Sequence, residues 1–270
     1  VISNAIALLW SCFEGLAVKV TDGGLVSWFC TRRPEKMDNR WYAYESINAV
    51  LASEARLSAI DFTPVLGAEA QIDLIDWYGK IAIRKMRIPK TYRNEALDKQ
   101  LRSRRTKEEV EILHAAKLAG VVCPNLFFAD PESSEIIMEY ISGILLKDVT
   151  NGERNKNRET FRHLGRYAAK LHAEGIIHGD LTTKNVILAK ERMVLIDFGL
   201  AFISDRIEDR AEDLHLLKQA LNSSDSMKKG GDEFEDVMKG YESEAGEKTA
   251  NIVRRQMSKI ERRGRYAQVD

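Results

Sequence analysis

The segment Ile177-His178-Gly179-Asp180-Leu181-Thr182-Thr183-Lys184-Asn185, followed twelve residues later by Asp197-Phe198-Gly199, constrains this chain more than any other feature. An Asp five residues before an Asn on a tight loop can set one carboxylate beside a substrate hydroxyl and one amide on a magnesium ion. Asp197 follows the strand-like run Met193-Val194-Leu195-Ile196 and can bring a second carboxylate to the metal. Magnesium is a hard cation that takes oxygen ligands, and these are oxygen ligands. Either half alone is weak, because a three-residue motif recurs by chance and His-Gly-Asp occurs in unrelated loops. Both halves in order, each after an apolar strand, predict a phosphoryl-transfer site with Asp180 as catalytic base and Asn185 and Asp197 as metal ligands.

Upstream, side chains alternate. Ile72 and Leu74 precede a turn at Asp76-Trp77-Tyr78-Gly79, and Ile81, Ile83 and Lys85 recur at spacing two on the returning strand. Lys85 therefore points with the isoleucines into a small sheet, where an ammonium needs an anion or a carboxylate, while Arg84 and Met86 face the other way. Lys85 is the better candidate for a phosphate ligand. The helix expected over residues 98–116 has its apolar stripe at Leu101, Val110, Leu113 and Ala116, and offers Glu108, Glu109 and Glu111 as partners for that lysine. Residues 136–141 form an apolar strand broken by Glu139 and closed by Gly143, a pattern that suits either a linker between two lobes or an edge strand. Further helices are expected over 161–172, with Leu164, Ala168 and Leu171 on one face, and over 208–221 and 232–259. His172 and His215 fall on helices as structural histidines, and no His, Cys or acidic cluster has transition-metal spacing.

A chain of 270 residues can bury a proper core, and its 41 basic and 41 acidic side chains cancel, so no global field selects a nucleic-acid or membrane partner. Cys12, Cys30 and Cys123 are odd in number and far apart, which suits reduced thiols in a cytoplasmic protein. The longest apolar stretches are too short to span a bilayer, so no membrane association is expected. The chain opens on Val rather than Met, as a fragment or a processed end would. Residues 1–61 read as a small α/β extension or fusion remnant, helix-hairpin-helix, with Gly23-Gly24 in the hairpin turn. Pro64 and Gly67 mark the boundary after it.

From Gly67 onward the residues resemble the protein-kinase-like superfamily, and within it the PRPK-type kinase subunit of the KEOPS tRNA-modification complex. The matching runs are Gly67-Ala68-Glu69-Ala70, Tyr92-Arg93 with Ala96-Leu97-Asp98, Arg104-Arg105-Thr106 with Glu109, HGDLTTKN, and IDFGLAFIS followed by Glu208-Asp209 and Glu212-Asp213-Leu214. The resemblance implies an α+β, minimal two-lobed protein-kinase-like fold with a reduced C-lobe. It places the N-lobe over residues 62–141 and the C-lobe, with a basic tail, over 142–270. It further implies ATP and Mg as cofactors. Lys85 would hold the α/β-phosphates with Glu109 as its ion-pair partner, and Gly67, Ala68, Glu69 and Ala70 would form a stiff phosphate lid. Met138 would back the adenine pocket, with Glu139 and Tyr140 in the hinge. Lys184 departs from the Ser usual in the family.

Gly179 stands where regulated kinases carry an Arg that grips a phosphorylated loop, and only 71 residues follow Gly199. Efficient phosphorylation of free peptides is therefore not expected, and ATP hydrolysis is. Eleven Lys or Arg against two acids between Lys80 and Lys107, and a second group of Arg254, Arg255, Lys259, Arg262, Arg263 and Arg265, suit either solvated helix faces or tRNA phosphates. The resemblance implies a threonylcarbamoyl-transferase subunit, other KEOPS subunits and tRNA as partners. The competing class is a small-molecule phosphotransferase of the aminoglycoside or choline type, which also carries an HGD loop.

Overall fold

The computed structural model describes residues 16–20, 26–30, 65–66, 69–149, 154–190, 192–223 and 233–266. The chain divides into two compact units, Val1–Asp61 with Asp76–Lys80, and Phe62–Ile75 with Ile81–Asp270. In the first, β1 (Leu16–Val20) and β2 (Val26–Cys30) pair as an antiparallel hairpin, Val18 opposite Trp28. The helices expected on either side of it lie outside the described residues.

The second unit begins with β3 (Val65–Leu66), antiparallel to β4 (Ala70–Trp77), which turns back into β5 (Lys80–Arg87). Tyr78 and Gly79 both carry positive φ, 49° and 80°, the torsions that a two-residue hairpin turn requires. Helix α1 (Glu95–Leu118) follows, capped by Asn94, whose side-chain oxygen accepts the N–H groups of Ala96 and Leu97 at 3.1 and 3.2 Å. Such a cap stabilises a helix by about 1 kcal/mol. Strands β6 (Leu126–Asp130) and β7 (Glu135–Glu139) complete a five-stranded sheet in the order β3-β4-β5-β7-β6. Its register sets Lys85 opposite Ile136 and Ile83 opposite Met138.

Helix α1 buries Asp98, Thr106 and Glu109 together with Ile112, Leu113 and Ala116. Leu101 and Val110, expected on the inner stripe, are only half-buried. The reason is electrostatic: β5 offers two cations to this helix, and Glu109 takes the inner position to meet them.

After β8 (Ile144–Leu145) and a 3₁₀ turn (Leu146–Asp148) the chain becomes mainly helical. Helix α2 (Arg154–Ala173) leads into β9 (Ile176–Ile177); then come β10 (Val186–Leu188), β11 (Met193–Leu195), β12 (Phe202–Ile203), α3 (Ile207–Ser223), α4 (Glu233–Ala245) and α5 (Glu247–Tyr266). The single helix expected over 232–259 is two, because Gly246 adopts φ 83° and ends α4. Leu164, Ala168 and Leu171 of α2 pack with Leu214, Leu217, Val237, Met238 and Val253 in one core. Where α2 meets α4 the contact is between backbones. A Cβ on Gly165 would lie 1.9 Å from the Val237 carbonyl oxygen, and one on Gly240 1.9 Å from that of Arg162.

The short strands form two further sheets, β11-β10-β8 and β12-β9. The loop 178–185 runs from β9 to β10 and the loop 196–201 from β11 to β12, so both cross between the same two sheets. That topology puts the two halves of the sequence motif side by side. Among the described residues no helix is long and apolar enough to cross a membrane.

Candidate active site

Asn185 closes a 3₁₀ turn over Thr183–Asn185, and its Nδ2 donates to both the carbonyl oxygen and Oδ2 of Asp180 at 2.9 Å. Its own carbonyl accepts the Ile196 N–H at 2.9 Å, which ties the first loop to the residue before Asp197. Asp197 has φ 62°, a left-handed torsion that a residue with a Cβ adopts at a cost and that clusters at functional positions. Its Oδ1 accepts from Lys85 Nζ at 2.6 Å and from the Gly199 N–H at 3.2 Å. Lys85 Nζ also donates to Glu109 Oε1 at 2.6 Å. The five residues assigned from the sequence to phosphate, metal and base thus form one connected chain, Asp180–Asn185–(Ile196)–Asp197–Lys85–Glu109. On the opposite face of β5, Arg84 pairs with Asp73 at 2.7 Å, as strand alternation requires.

Burial presses the Lys85 ammonium toward losing its proton, but Glu109 and Asp197 outweigh it and hold the pKa above its ordinary value. Burial pushes the Asp197 carboxyl up, and the adjacent Lys85 pulls it further down, so it ends low and ionised. Gly199 packs close beside this pair: a Cβ there would come 3.0 Å from both Asp197 Oδ1 and Lys85 Nζ, so those side-chain ends would have to shift.

Three participants were not singled out as site residues from the sequence. Arg87, two residues beyond Lys85, donates from Nη2 to Glu109 Oε2 at 2.5 Å. The alternation that pointed to Lys85 would have found it. Asp213 on α3, 1% exposed, accepts the N–H groups of His178 and Gly179 at 2.9 Å each, and His172 Nε2 lies 3.3 Å from its Oδ2. It joins the site through tertiary packing; the run Glu212-Asp213-Leu214 belongs to the family resemblance, but nothing in its local spacing shows that Asp213 reaches the loop. The buried His178 ring packs on Phe198, with Nε2 3.3 Å from the Ile196 carbonyl. Burial lowers its pKa, so it is neutral and donates to that carbonyl.

Of the residues assigned to nucleotide contact by resemblance, Gly67 and Ala68 lie outside the described residues. Glu69 pairs with Arg105 of α1 at 2.9 Å, and Ala70 is buried at the start of β4. Met138 is buried in β7 opposite Ile83. The Glu139 side chain is committed elsewhere, accepting from Arg192 Nη2 at 2.5 Å and Asn125 Nδ2 at 2.7 Å. Any hinge contact of Glu139 therefore falls to its backbone, whose N–H is already donated to the Asn125 carbonyl at 2.8 Å.

The donor set suits magnesium. Both recorded bonds to Asp197 fall on Oδ1 and both recorded bonds of the Asn185 amide are donated by Nδ2, so each residue keeps an oxygen with no protein partner among the described residues. Magnesium commonly takes one or two protein oxygens and completes its shell with phosphate and water.

A family model of the RIO domain matches residues 81–215. The KEOPS complex subunit Bud32 of Pyrococcus abyssi is 42% identical over 209 residues, an alignment covering 74% of this chain and 94% of that protein. The chain belongs to the Bud32 family of RIO-domain kinases. A probable bifunctional tRNA threonylcarbamoyladenosine biosynthesis protein of Methanobrevibacter smithii is 35% identical over 247 residues, 92% of this chain and 42% of that protein. The chain thus spans less than half of that relative, and coverage of 92% cannot leave out all of residues 1–61, so the likeness extends upstream of Gly67. Among solved structures, the Rio2 kinase–ADP/Mg²⁺–phosphoaspartate complex from Chaetomium thermophilum superposes with a TM-score of 0.54, covering 98% of this chain and 86% of that one at 14% identity. The fold of this Bud32-family chain is therefore α+β and protein-kinase-like, with a reduced helical second part.

Proposed function

We propose that the protein binds Mg-ATP at the Asp180–Asn185–Asp197–Lys85 chain and turns it over in support of threonylcarbamoyladenosine formation on tRNA, as a subunit working with a threonylcarbamoyl-transferase and other KEOPS subunits. The single observation that carries the chemistry is the 2.6 Å bond between Lys85 and Asp197, which sets a phosphate-binding cation against a metal-binding carboxylate. Lys85 would hold the nucleotide phosphates, and Asn185 and Asp197 would hold magnesium. Bound there, the metal would neutralise charge that develops on the transferred phosphoryl group. Asp180 would orient the attacking hydroxyl or water, with the Asn185 amide fixing its carboxylate. Met138 and the backbone of Glu139 and Tyr140 would line the adenine side, and Gly67, Ala68, Glu69 and Ala70 the phosphate lid. Support for the tRNA role comes from the names of the relatives, in Pyrococcus abyssi and Methanobrevibacter smithii alike. Family membership goes against the small-molecule phosphotransferase reading.

Release of phosphate from ATP by the chain alone is expected to be slow, to require magnesium, and to rise when a transferase subunit and tRNA are added. The rise should fade with salt and with Arg262, Arg263 and Arg265 changed together to Ser, because contacts to a nucleic-acid backbone depend on counterion release. Rapid phosphorylation of an aminoglycoside or choline, indifferent to tRNA, would refute this reading.

A further inference from the structure

Two cations on strand β5 share one carboxylate. Lys85 and Arg87 are two residues apart and leave the same face of the strand. Glu109 meets both, Oε1 accepting from Lys85 Nζ at 2.6 Å and Oε2 from Arg87 Nη2 at 2.5 Å. The two bonds differ in kind. Lys85 is divided, since its Nζ also serves Asp197 at 2.6 Å. Among the described residues, Glu109 is the one carboxylate recorded on Arg87; its other contact is the Arg105 carbonyl, one turn earlier on α1, at 3.5 Å.

Arg87 is held as few surface arginines are. It is 4% exposed, its N–H donates to the Ser134 carbonyl at 3.0 Å, and its buried Nε has no hydrogen-bond partner among the described residues. A planar guanidinium fixed at one end by Glu109 cannot follow a moving ligand as a lysine ammonium can. Gly199 stands against both cations, with a Cβ there 3.0 Å from Lys85 Nζ and 3.5 Å from Arg87 Nη2, so the loop bearing Asp197 closes on this pair.

If Lys85 were the sole counter-ion, the Glu109 carboxylate, 2% exposed, would share one ammonium with Asp197 and then with a phosphate, and any swing of Lys85 toward that ligand would leave it under-compensated. An unpaired buried charge is strongly destabilising, and the helix carrying it would move to rehydrate it. With Arg87 in place, Glu109 keeps a full positive partner whichever way Lys85 points.

We propose that Arg87 is a positioning residue, which holds Glu109 and helix α1 inward independently of Lys85, so that Lys85 can exchange Asp197 for a nucleotide phosphate. This rests on the Mg-ATP reading of the site. It also explains how α1 stays docked in a chain whose Gly179 has no side chain to bind a regulatory phosphate.

The test uses the full chain carrying Arg87→Met, Arg87→Gln or Arg87→Lys. It reads amide hydrogen exchange over residues 104–113, without nucleotide and with saturating Mg-ADP, beside kcat and KM for ATP. In Arg87→Met, or in Arg87→Gln if the methionine variant does not fold, exchange in that stretch should rise by about tenfold without nucleotide. It should rise further with Mg-ADP, as the phosphate that replaces Asp197 draws on the Lys85 ammonium and leaves Glu109 a smaller share of its charge, whereas the parent stays protected in both states. Turnover should fall about tenfold in kcat with KM changed by less than about threefold. Arg87→Lys should recover most of the protection, because a cation again meets Glu109. Parent-like exchange in the uncharged variants, no recovery in Arg87→Lys, or equal acceleration throughout α2 to α5 would each overturn the proposal. If the parent shows no thermal shift with Mg-ADP, the nucleotide reading fails by itself, and exchange without nucleotide still decides whether Arg87 holds the helix.

Discussion

The Asp213 carboxylate grips the backbone of Gly179, Oδ1 accepting its N–H at 2.9 Å, while Oδ2 accepts that of His178 at the same distance. Through His172, whose Nδ1 lies 3.0 Å from the Tyr241 hydroxyl, the same carboxylate links helices α2, α3 and α4 to the loop that carries Asp180. The loop is therefore positioned by the helical core.

Asp213→Asn should lower both stability and turnover. An amide nitrogen turned toward either backbone N–H would set donor against donor, and spoiling a buried charged contact destabilises by on the order of 3 kcal/mol. Burial presses the Asp213 pKa up, but the His172 contact and the backbone N–H of His178 bring it below the usual value. A carboxylate with a lowered folded pKa adds stability that is complete above its unfolded pKa and is lost as pH falls through the folded one. Asp197 is shifted in the same direction. The parent's Tm should thus drop on acidification below ~pH 4, and the Asp213→Asn substitution should flatten that slope. Thermal melts between neutral and strongly acid pH read both; an unchanged acid slope in the variant would show that Asp213 is not the linked group.

Asp197→Ala and Lys85→Ala should each reduce ATP turnover by about a hundredfold or more, since both act on charge at the transferred phosphoryl group. Arg84→Ala should change it by less than about threefold, because its partner is Asp73 on the far face of the sheet. Phosphate-release assays on variants checked by circular dichroism decide this. Equal losses from Lys85→Ala and Arg84→Ala would mean that the strand register plays no part.

Gly179→Arg, which would restore the arginine of regulated kinases, should inactivate the protein. Gly179 has φ 77°, and a Cβ there would sit 2.4 Å from the Leu200 carbonyl oxygen. Gly179→Ala should show most of the same loss, since the clash and the torsion begin at Cβ. Activity and melting temperature of the two variants separate a steric cause from a missing phosphate grip. A fully active alanine variant would exclude the steric one.

Gly165→Ala should destabilise the fold without touching the site. Its Cβ would fall 1.9 Å from the Val237 oxygen, so α2 and α4 must separate, and such overpacking costs about 3 kcal/mol or more. Denaturant unfolding gives the loss; a parent-like midpoint would mean the two helices slide apart freely.

Much of the site was legible because its chemistry is local. His178 to Asn185 and Asp197 to Gly199 are short runs whose spacing fixes what loops can do, and alternation along residues 81–87 alone sends Lys85 one way and Arg84 the other. The turn expected at Asp76-Trp77-Tyr78-Gly79 was legible for the same reason, although β4 runs on through Trp77 and leaves only Tyr78-Gly79 between the strands, as was the α2 face of Leu164, Ala168 and Leu171. Helix α1 was read less well. Its inner face follows the charges of β5, which lie 22 and 24 residues away from Glu109, and hydrophobic periodicity carries no record of them.

Residue types and their order thus determined which groups could hold a phosphate, bind a metal or move a proton, because donor identity and strand or loop periodicity are properties of a few consecutive residues. Helical periodicity left open which of Glu108, Glu109 and Glu111 meets Lys85, and only the family resemblance named Glu109; tertiary structure alone decided that Arg87 shares it and that Asp213 holds the loop from 34 residues downstream. It also decided why residue 179 is glycine, since the obstructing Leu200 carbonyl arrives from the neighbouring loop. These outcomes depend on the approach of distant chain segments, and such distances are set by packing of the whole core, with no single stretch of sequence encoding them.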